Sequence, residues 1–134
     1  MLSYLAAYAA AMVVFLGFDA IWLSTMGPRL YRPVLGDILA DKLNAPAAIA
    51  FYLIYGAGMM ILAVAPALRE GSGGRAALSG ATLGLVAYAT YDLTNQATLR
   101  VWSTRLTLAD MVWGAALTAL AAYAGFQAAR LVAR

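Results

Sequence analysis

Four long apolar windows separated by short polar stretches set the pattern of this chain. The first runs from about Leu2 to Leu23 and is interrupted in polarity only by Asp19 near its end. The second runs from Pro46 to Leu68, the third from Ala76 to Leu99 and the fourth from Thr107 to about Leu131. Each approximates the roughly 20 apolar residues with which an α-helix crosses a bilayer. Asn44 stands as N-cap before the second, and Pro46 falls in its first turn, where a missing N–H costs nothing. Between the first two windows, Gly27-Pro28 through Asn44 is too polar to span. Its apolar residues Leu30, Val34, Leu35, Ile38, Leu39 and Leu43 recur at largely helical spacing, opposite Arg32, Asp37, Asp41 and Lys42. That spacing predicts a short interfacial amphipathic helix. Glu70-Gly71-Ser72-Gly73-Gly74-Arg75 reads as a tight turn and Arg100 to Arg105 as a short connection. The expected fold is all-α: one transmembrane domain, an integral membrane four-helix bundle, with the amphipathic helix between helices one and two.

Composition turns this pattern into a statement about solvent. Hydrophobic residues make up 64% of the 134 and charged residues only 11%, against about 25% charged in an ordinary globular protein. Nine Lys/Arg and six Asp/Glu are too few to hydrate the surface of a soluble domain this small, so the partner of most of the surface is the lipid bilayer. Cysteine and histidine are absent, which excludes disulfides, thiolate chemistry, haem ligation by His and the commonest zinc sites. No cofactor is expected. The net charge of +3 is spread over loops, and no basic run points to nucleic acid. The first window lacks a basic leader and carries Asp19 and Trp22 where a cleavage site would need small residues, so it reads as a span and not as a signal peptide.

Charge does not orient the bundle. With alternating helices, one side carries Arg29, Arg32, Lys42, Arg100 and Arg105, and the other Arg69, Arg75, Arg130 and Arg134 with the terminal amine. The positive-inside rule needs an imbalance, and five against four is none. Helix association has a clearer signature. Gly80 and Gly84 form a small-xxx-small pair on helix three, and Ala115, Ala119 and Ala122 line a face of helix four; small residues let helices approach where lipid gives no hydrophobic drive.

Three acids carry the candidate chemistry. Asp92 lies in Tyr88-Ala-Thr-Tyr91-Asp92-Leu-Thr94-Asn95-Gln96, a polar stretch of an apolar helix, and Tyr88, Asp92 and Asn95 share one face at i, i+4 and i+7. An intramembrane carboxylate costs several kcal/mol on most scales, so it faces the bundle interior with a partner: Asn95 or Tyr88 for a site, Arg100 or a tyrosine hydroxyl for a structural clamp. Asp19 lies one turn inside the end of helix one with Phe15, Trp22 and Met26 on its face. It serves either a site or an interfacial pair with Arg29 or Arg32. Asp110 follows Thr107 at capping-box spacing, where an acid suits the helix dipole and capping alone accounts for it. If the helices alternate, all three acids fall in one leaflet with Trp22, Trp102, Trp113 and the Tyr52/Tyr55 pair. The tryptophans fit an interfacial belt equally well. The expected ligand-binding set is Asp19, Trp22, Tyr88, Asp92, Asn95, Asp110 and Trp113, in a pocket opening towards the loops that hold Arg29, Arg32, Arg100 and Arg105.

Phe18-Asp19-Ala-Ile-Trp22-Leu23, Phe51-Tyr52-Leu-Ile-Tyr55-Gly56, Val64-Ala-Pro66-Ala67, the block from Tyr88 to Leu99 containing Y-D-L-T-N, and Asp110-Met-Val-Trp113-Gly114 resemble a bacterial family of predicted membrane proteins, domain of unknown function family 2177. The resemblance covers nearly the whole chain. It implies a four-helix protein of the bacterial inner membrane, with Asp19, Asp92, Asn95 and Asp110 at the family's characteristic polar positions, and it implies no activity.

Three classes of function stay open on the sequence. The first is binding or transport of a cation or a small or lipid-like molecule at the acids and tyrosines, for which a thin four-helix bundle favours a homodimer. The second is acid–base catalysis on a lipophilic substrate, the main route left without His or Cys; the acids could alternatively hold a hard divalent cation through oxygen ligands. The third is an accessory subunit packing on a larger membrane complex, its acids serving only as clamps.

Overall fold

In a computed structural model, which describes residues 1–133, the apolar windows become four long helices. Helix α1 is continuous from Leu2 to Ile38, α2 from Ala45 to Glu70, α3 from Gly73 to Thr98 and α4 from Thr104 to Val132. Arg134, counted above among the basic residues of one side, lies outside the described residues. There is no strand among the described residues.

Helices α1, α2 and α4 are each long and apolar enough to cross a membrane. The more polar α3 is 26 residues long, roughly 39 Å at about 1.5 Å per residue. It runs antiparallel to α4 along its whole length. Near one end Gln96 Nε2 donates to Thr104 Oγ1 at 2.9 Å. In the middle Gly84 faces Gly114 and Thr118, with Gly80 against Ala119 and Ala122. At the other end Gly73 lies against Tyr123 and Phe126. A helix paired so with a spanning helix traverses the same slab. The Gly80/Gly84 pair thus works as its spacing implied: a Cβ built on Gly80 would sit 2.6 Å from the Thr118 carbonyl.

Prolines account for the irregular stretches. Within α1, Gly27–Tyr31 forms a π turn, followed by α-helix Arg32–Leu35 and a 3-10 turn Gly36–Ile38. Within α2, Met60–Val64 forms a second π turn. Arg32 N–H donates to Gly27 and Ala65 N–H to Met60, each five residues back. Both donors immediately precede a proline, Pro33 and Pro66. A helical proline clashes with the carbonyl four residues before it and donates nothing; widening the preceding turn relieves the clash without ending the helix. The segment expected as a separate amphipathic helix is therefore largely an extension of α1.

The ends carry conventional caps. Asn44, Ser72 and Ser103 side chains accept from the N–H groups of Ala47, Arg75 and Leu106, each at 3.2 Å. After α2, Gly71 adopts φ +69°, and Gly71 and Ser72 N–H return to Leu68 and Ala67; only glycine takes that backbone at little cost.

Helix α4 is the axis of the bundle. Its Leu117, Ala121, Ala122 and Ala129 meet Ala7, Ala11 and Phe15 of α1 and Tyr55, Met59, Ala63 and Val64 of α2. The extension of α1 folds over the start of α4, burying Leu30 and Leu35 against Leu106 beside Trp22, Met26 and Trp102. Val13, Ile54, Ile61, Val86 and Val112 point outward, as expected where lipid is the solvent. The first half of α2 meets α1 through Tyr52 and Tyr55 against Phe15 and through Gly56 against Tyr8 and Met12.

Candidate functional site

A cavity of about 530 Å³ lies among all four helices, at the end holding the α1–α2 and α3–α4 connections. Ligand pockets run about 300–1,000 Å³. Helix α1 supplies a stripe at four-residue intervals, Asp19, Leu23, Gly27, Tyr31 and Leu35, with Leu39 just beyond its end. In a regular α-helix, positions four apart drift by roughly 40° per step. The wider π turn carries that drift back, so Tyr31 and Leu35 still face the cavity. Phe51 lines it from α2, Ala87, Tyr88 and Tyr91 from α3, and Asp110 and Trp113 from α4. Tyr88 is seated by Gly114: a side chain there would occupy the tyrosine ring.

The carboxylates divide into two that face the cavity and one behind them. Asp19, 7% exposed, accepts from Tyr52 Oη at 2.8 Å. Asp110, 4% exposed, accepts from the Tyr31 hydroxyl. Tyr31 in turn accepts from Trp22 Nε1 at 2.8 Å, and Trp22 stacks on Trp113 at 4.4 Å between ring centroids and 7° between planes. Asp92 is fully buried and does not line the cavity. The pairing of α3 with α4, Tyr88 against Gly114 on one side and Gln96 bonded to Thr107 on the other, sets Asp92 beside Asp110, and no N–H or O–H donates to either Asp92 oxygen. The buried Trp113 Nε1 also lacks an acceptor.

Cations hardly enter this arrangement. Among the described residues one ion pair is present, Arg75 with Glu70 at 3.7 Å, at the opposite end of the bundle. Among the described residues Arg32 is the single basic one on the cavity wall, and it is solvent-exposed. Neither Arg29 nor Arg32 pairs with Asp19, and Arg100 does not reach Asp92. Among the described residues no group of three His, Cys, Asp or Glu side chains is arranged to hold a metal ion.

The profile of a family described as "predicted membrane protein", domain of unknown function family 2177, matches residues 4–127. The chain belongs to this family. Membership makes it a membrane protein and adds no activity. No curated protein and no solved structure matches the chain.

The structure brings most of the anticipated residues of this family member together. Asp19, Tyr88, Asp110 and Trp113 line the cavity, while Trp22 and Asp92 back it. Asn95 shares the α3 face with Asp92 but donates nothing to it, and it lies off the cavity wall. The capping role considered for Asp110 is corrected. Helix α4 begins three residues before Thr107, with Ser103 as its cap. Thr107 instead accepts from Trp102 Nε1 at 2.9 Å and donates to Gln96 Oε1 at 2.7 Å. Asp110 is thus released from the helix start and turned inward. Tyr31, Phe51 and Tyr91 line the cavity outside the anticipated set; if the helix ends at Gly27-Pro28, nothing places the Tyr31 hydroxyl near the acids.

Proposed function

We propose that this protein binds an amphiphilic cation from the membrane, an ammonium head on an apolar body, in the cavity between its helices, and that it does so in the inner membrane of a bacterium. The observation that carries this reading is the composition of the cavity wall. Two buried carboxylates, Asp19 and Asp110, face a space otherwise lined by Tyr31, Phe51, Tyr88, Tyr91, Trp113 and aliphatic side chains, with one cation among the described residues, the solvent-exposed Arg32, on its wall. Carboxylates attract a cation, and aromatic faces add cation–π attraction worth about 0.5–2 kcal/mol per contact. An anionic head would meet two negative groups in a low-dielectric setting, at a cost. The apolar portion, with Leu23, Leu35 and Leu39, suits a hydrocarbon chain. The hydroxyls of Tyr52 and Tyr31 hold the two carboxylates in fixed orientation, so little order is lost when a cation arrives.

The test uses the tryptophans already at the site. Protein in a neutral detergent is titrated with dodecyltrimethylammonium, and Trp113/Trp22 fluorescence is followed; dodecylsulfonate serves as the control of equal chain length. Saturable binding of the ammonium, at least tenfold tighter than the sulfonate, is expected. Equal affinities would mean that the chain alone partitions into the cavity, and the proposal would fail.

A further inference from the structure

Asp92 is the buried titratable group that the cavity wall leaves unused. It is fully buried, its two oxygens receive no donor, and the α3–α4 register sets it beside another acid, Asp110. The groups facing this pair are known from each element. Helix α1 presents Tyr31, which donates to Asp110, and Asp19 farther along the cavity. Helix α3 presents Tyr88 and Tyr91 on the cavity wall, and α2 presents no titratable group there, its Tyr52 hydroxyl being committed to Asp19. No Lys or Arg among the described residues pairs with either acid. Two adjacent carboxylates out of bulk water repel strongly without a counter-ion, and the Asp92 oxygens lack the hydrogen bond that burial demands. A single proton between them meets both needs: it removes one charge and supplies the missing donor.

We infer that Asp92 and Asp110 form a proton-binding pair, holding one shared proton when the cavity is empty and releasing it when a cationic head reaches Asp110. The inference rests on the proposed cation site and deepens it: binding becomes an exchange of one cation for one proton. Charge balances, since the arriving ammonium replaces the departing H⁺, and the ionised Asp110 faces the bound head with the ionised Asp92 behind it. Geometry divides the roles. Asp110 lines the cavity and meets the ligand, whereas Asp92, behind it, meets only the proton. Such a pair couples occupancy of the site to the proton concentration on whichever side it opens.

Infrared spectroscopy on the purified protein in neutral detergent separates the possibilities, with dodecyltrimethylammonium as probe because its head carries no exchangeable proton. Without ligand at neutral pH, wild type is expected to show a protonated-carboxyl C=O band that Asp92→Asn lacks. Saturation with the ammonium should abolish the band and release about one proton per bound cation. Asp92→Asn should still bind, by tryptophan fluorescence, but release none. Absence of the band in ligand-free wild type overturns the shared proton whatever the ligand does. A band that persists while fluorescence reports binding overturns the exchange and leaves the binding site standing. A band without any binding overturns the cation site, and the exchange with it. Wild type alone decides these outcomes, so the inference stays testable if Asp92→Asn does not fold.

Discussion

The hydroxyl of Tyr31, on the π turn of α1, donates to the carboxylate of Asp110 near the start of α4, joining residues 79 positions apart. This bond fixes the extension of α1 over the cavity and points the Asp110 carboxylate. Tyr31→Phe removes it and also strips Trp22 Nε1 of its acceptor. Leaving buried polar groups unpaired costs about 1–3 kcal/mol. Thermal unfolding in detergent should show that loss, with weaker binding of dodecyltrimethylammonium. An unchanged midpoint would remove Tyr31 from the account.

Close approach of α3 and α4 is a second expectation with a clear control. A methyl on Gly84 would collide with the Gly114 backbone, whereas one on Gly17 would meet nothing within 4 Å. Backbone cannot yield as a flexible side chain does, so Gly84→Ala should cost about 1–3 kcal/mol through overpacking. Gly17→Ala should be neutral or slightly stabilising, since alanine is the better helix former. Denaturant titrations of the two variants in mixed micelles compare them directly; equal effects would contradict the packing.

The start of α4 gives a third. Ser103→Ala removes a cap and should cost about 1 kcal/mol. Thr107→Ala leaves Trp102 Nε1 without its acceptor and Gln96 Oε1 without its donor, so it should cost more than Ser103→Ala, at about 1–3 kcal/mol. The reverse order would restore Thr107 as the cap.

These residues also indicate how far the sequence could be read. Apolar windows were enough for α1, α2 and α4, because lipid burial demands long uninterrupted runs, whereas the more polar α3 is a span by its pairing with α4. The acids Asp19, Asp92 and Asp110 were legible as a group, since alternating helices return them to one end. Three details depended on tertiary structure. Gly27-Pro28 ordinarily marks a helix end, and only the π turn before Pro33 keeps α1 running and delivers Tyr31. Thr107-x-x-Asp110 matches a capping box, but the equally ordinary Ser103 lies a turn earlier and takes the role. Asn95 follows Asp92 on the same helical face, yet Asp92 is turned into the α4 contact beside Asp110, with no Asn95 hydrogen bond. Periodicity defines a face and does not say which neighbour meets it.

The cation site predicts a ranking among acid variants. Asp19→Asn and Asp110→Asn each remove a charge from the cavity wall and should weaken ammonium binding about tenfold, or about 1.4 kcal/mol. Asp37→Asn, on an exposed residue of the α1 extension off the cavity wall, should leave affinity unchanged. Fluorescence titrations of the three variants check the order, and equal affinities would contradict it.

The most direct measurement is a crystal structure of the protein with dodecyltrimethylarsonium, whose arsenic marks the cationic head by anomalous scattering. A peak is expected inside the cavity, beside the Asp19 and Asp110 carboxylates and against the rings of Tyr88, Tyr91 and Trp113. A head located at the exposed mouth near Arg32, or outside the bundle with the cavity holding only hydrocarbon, would contradict it.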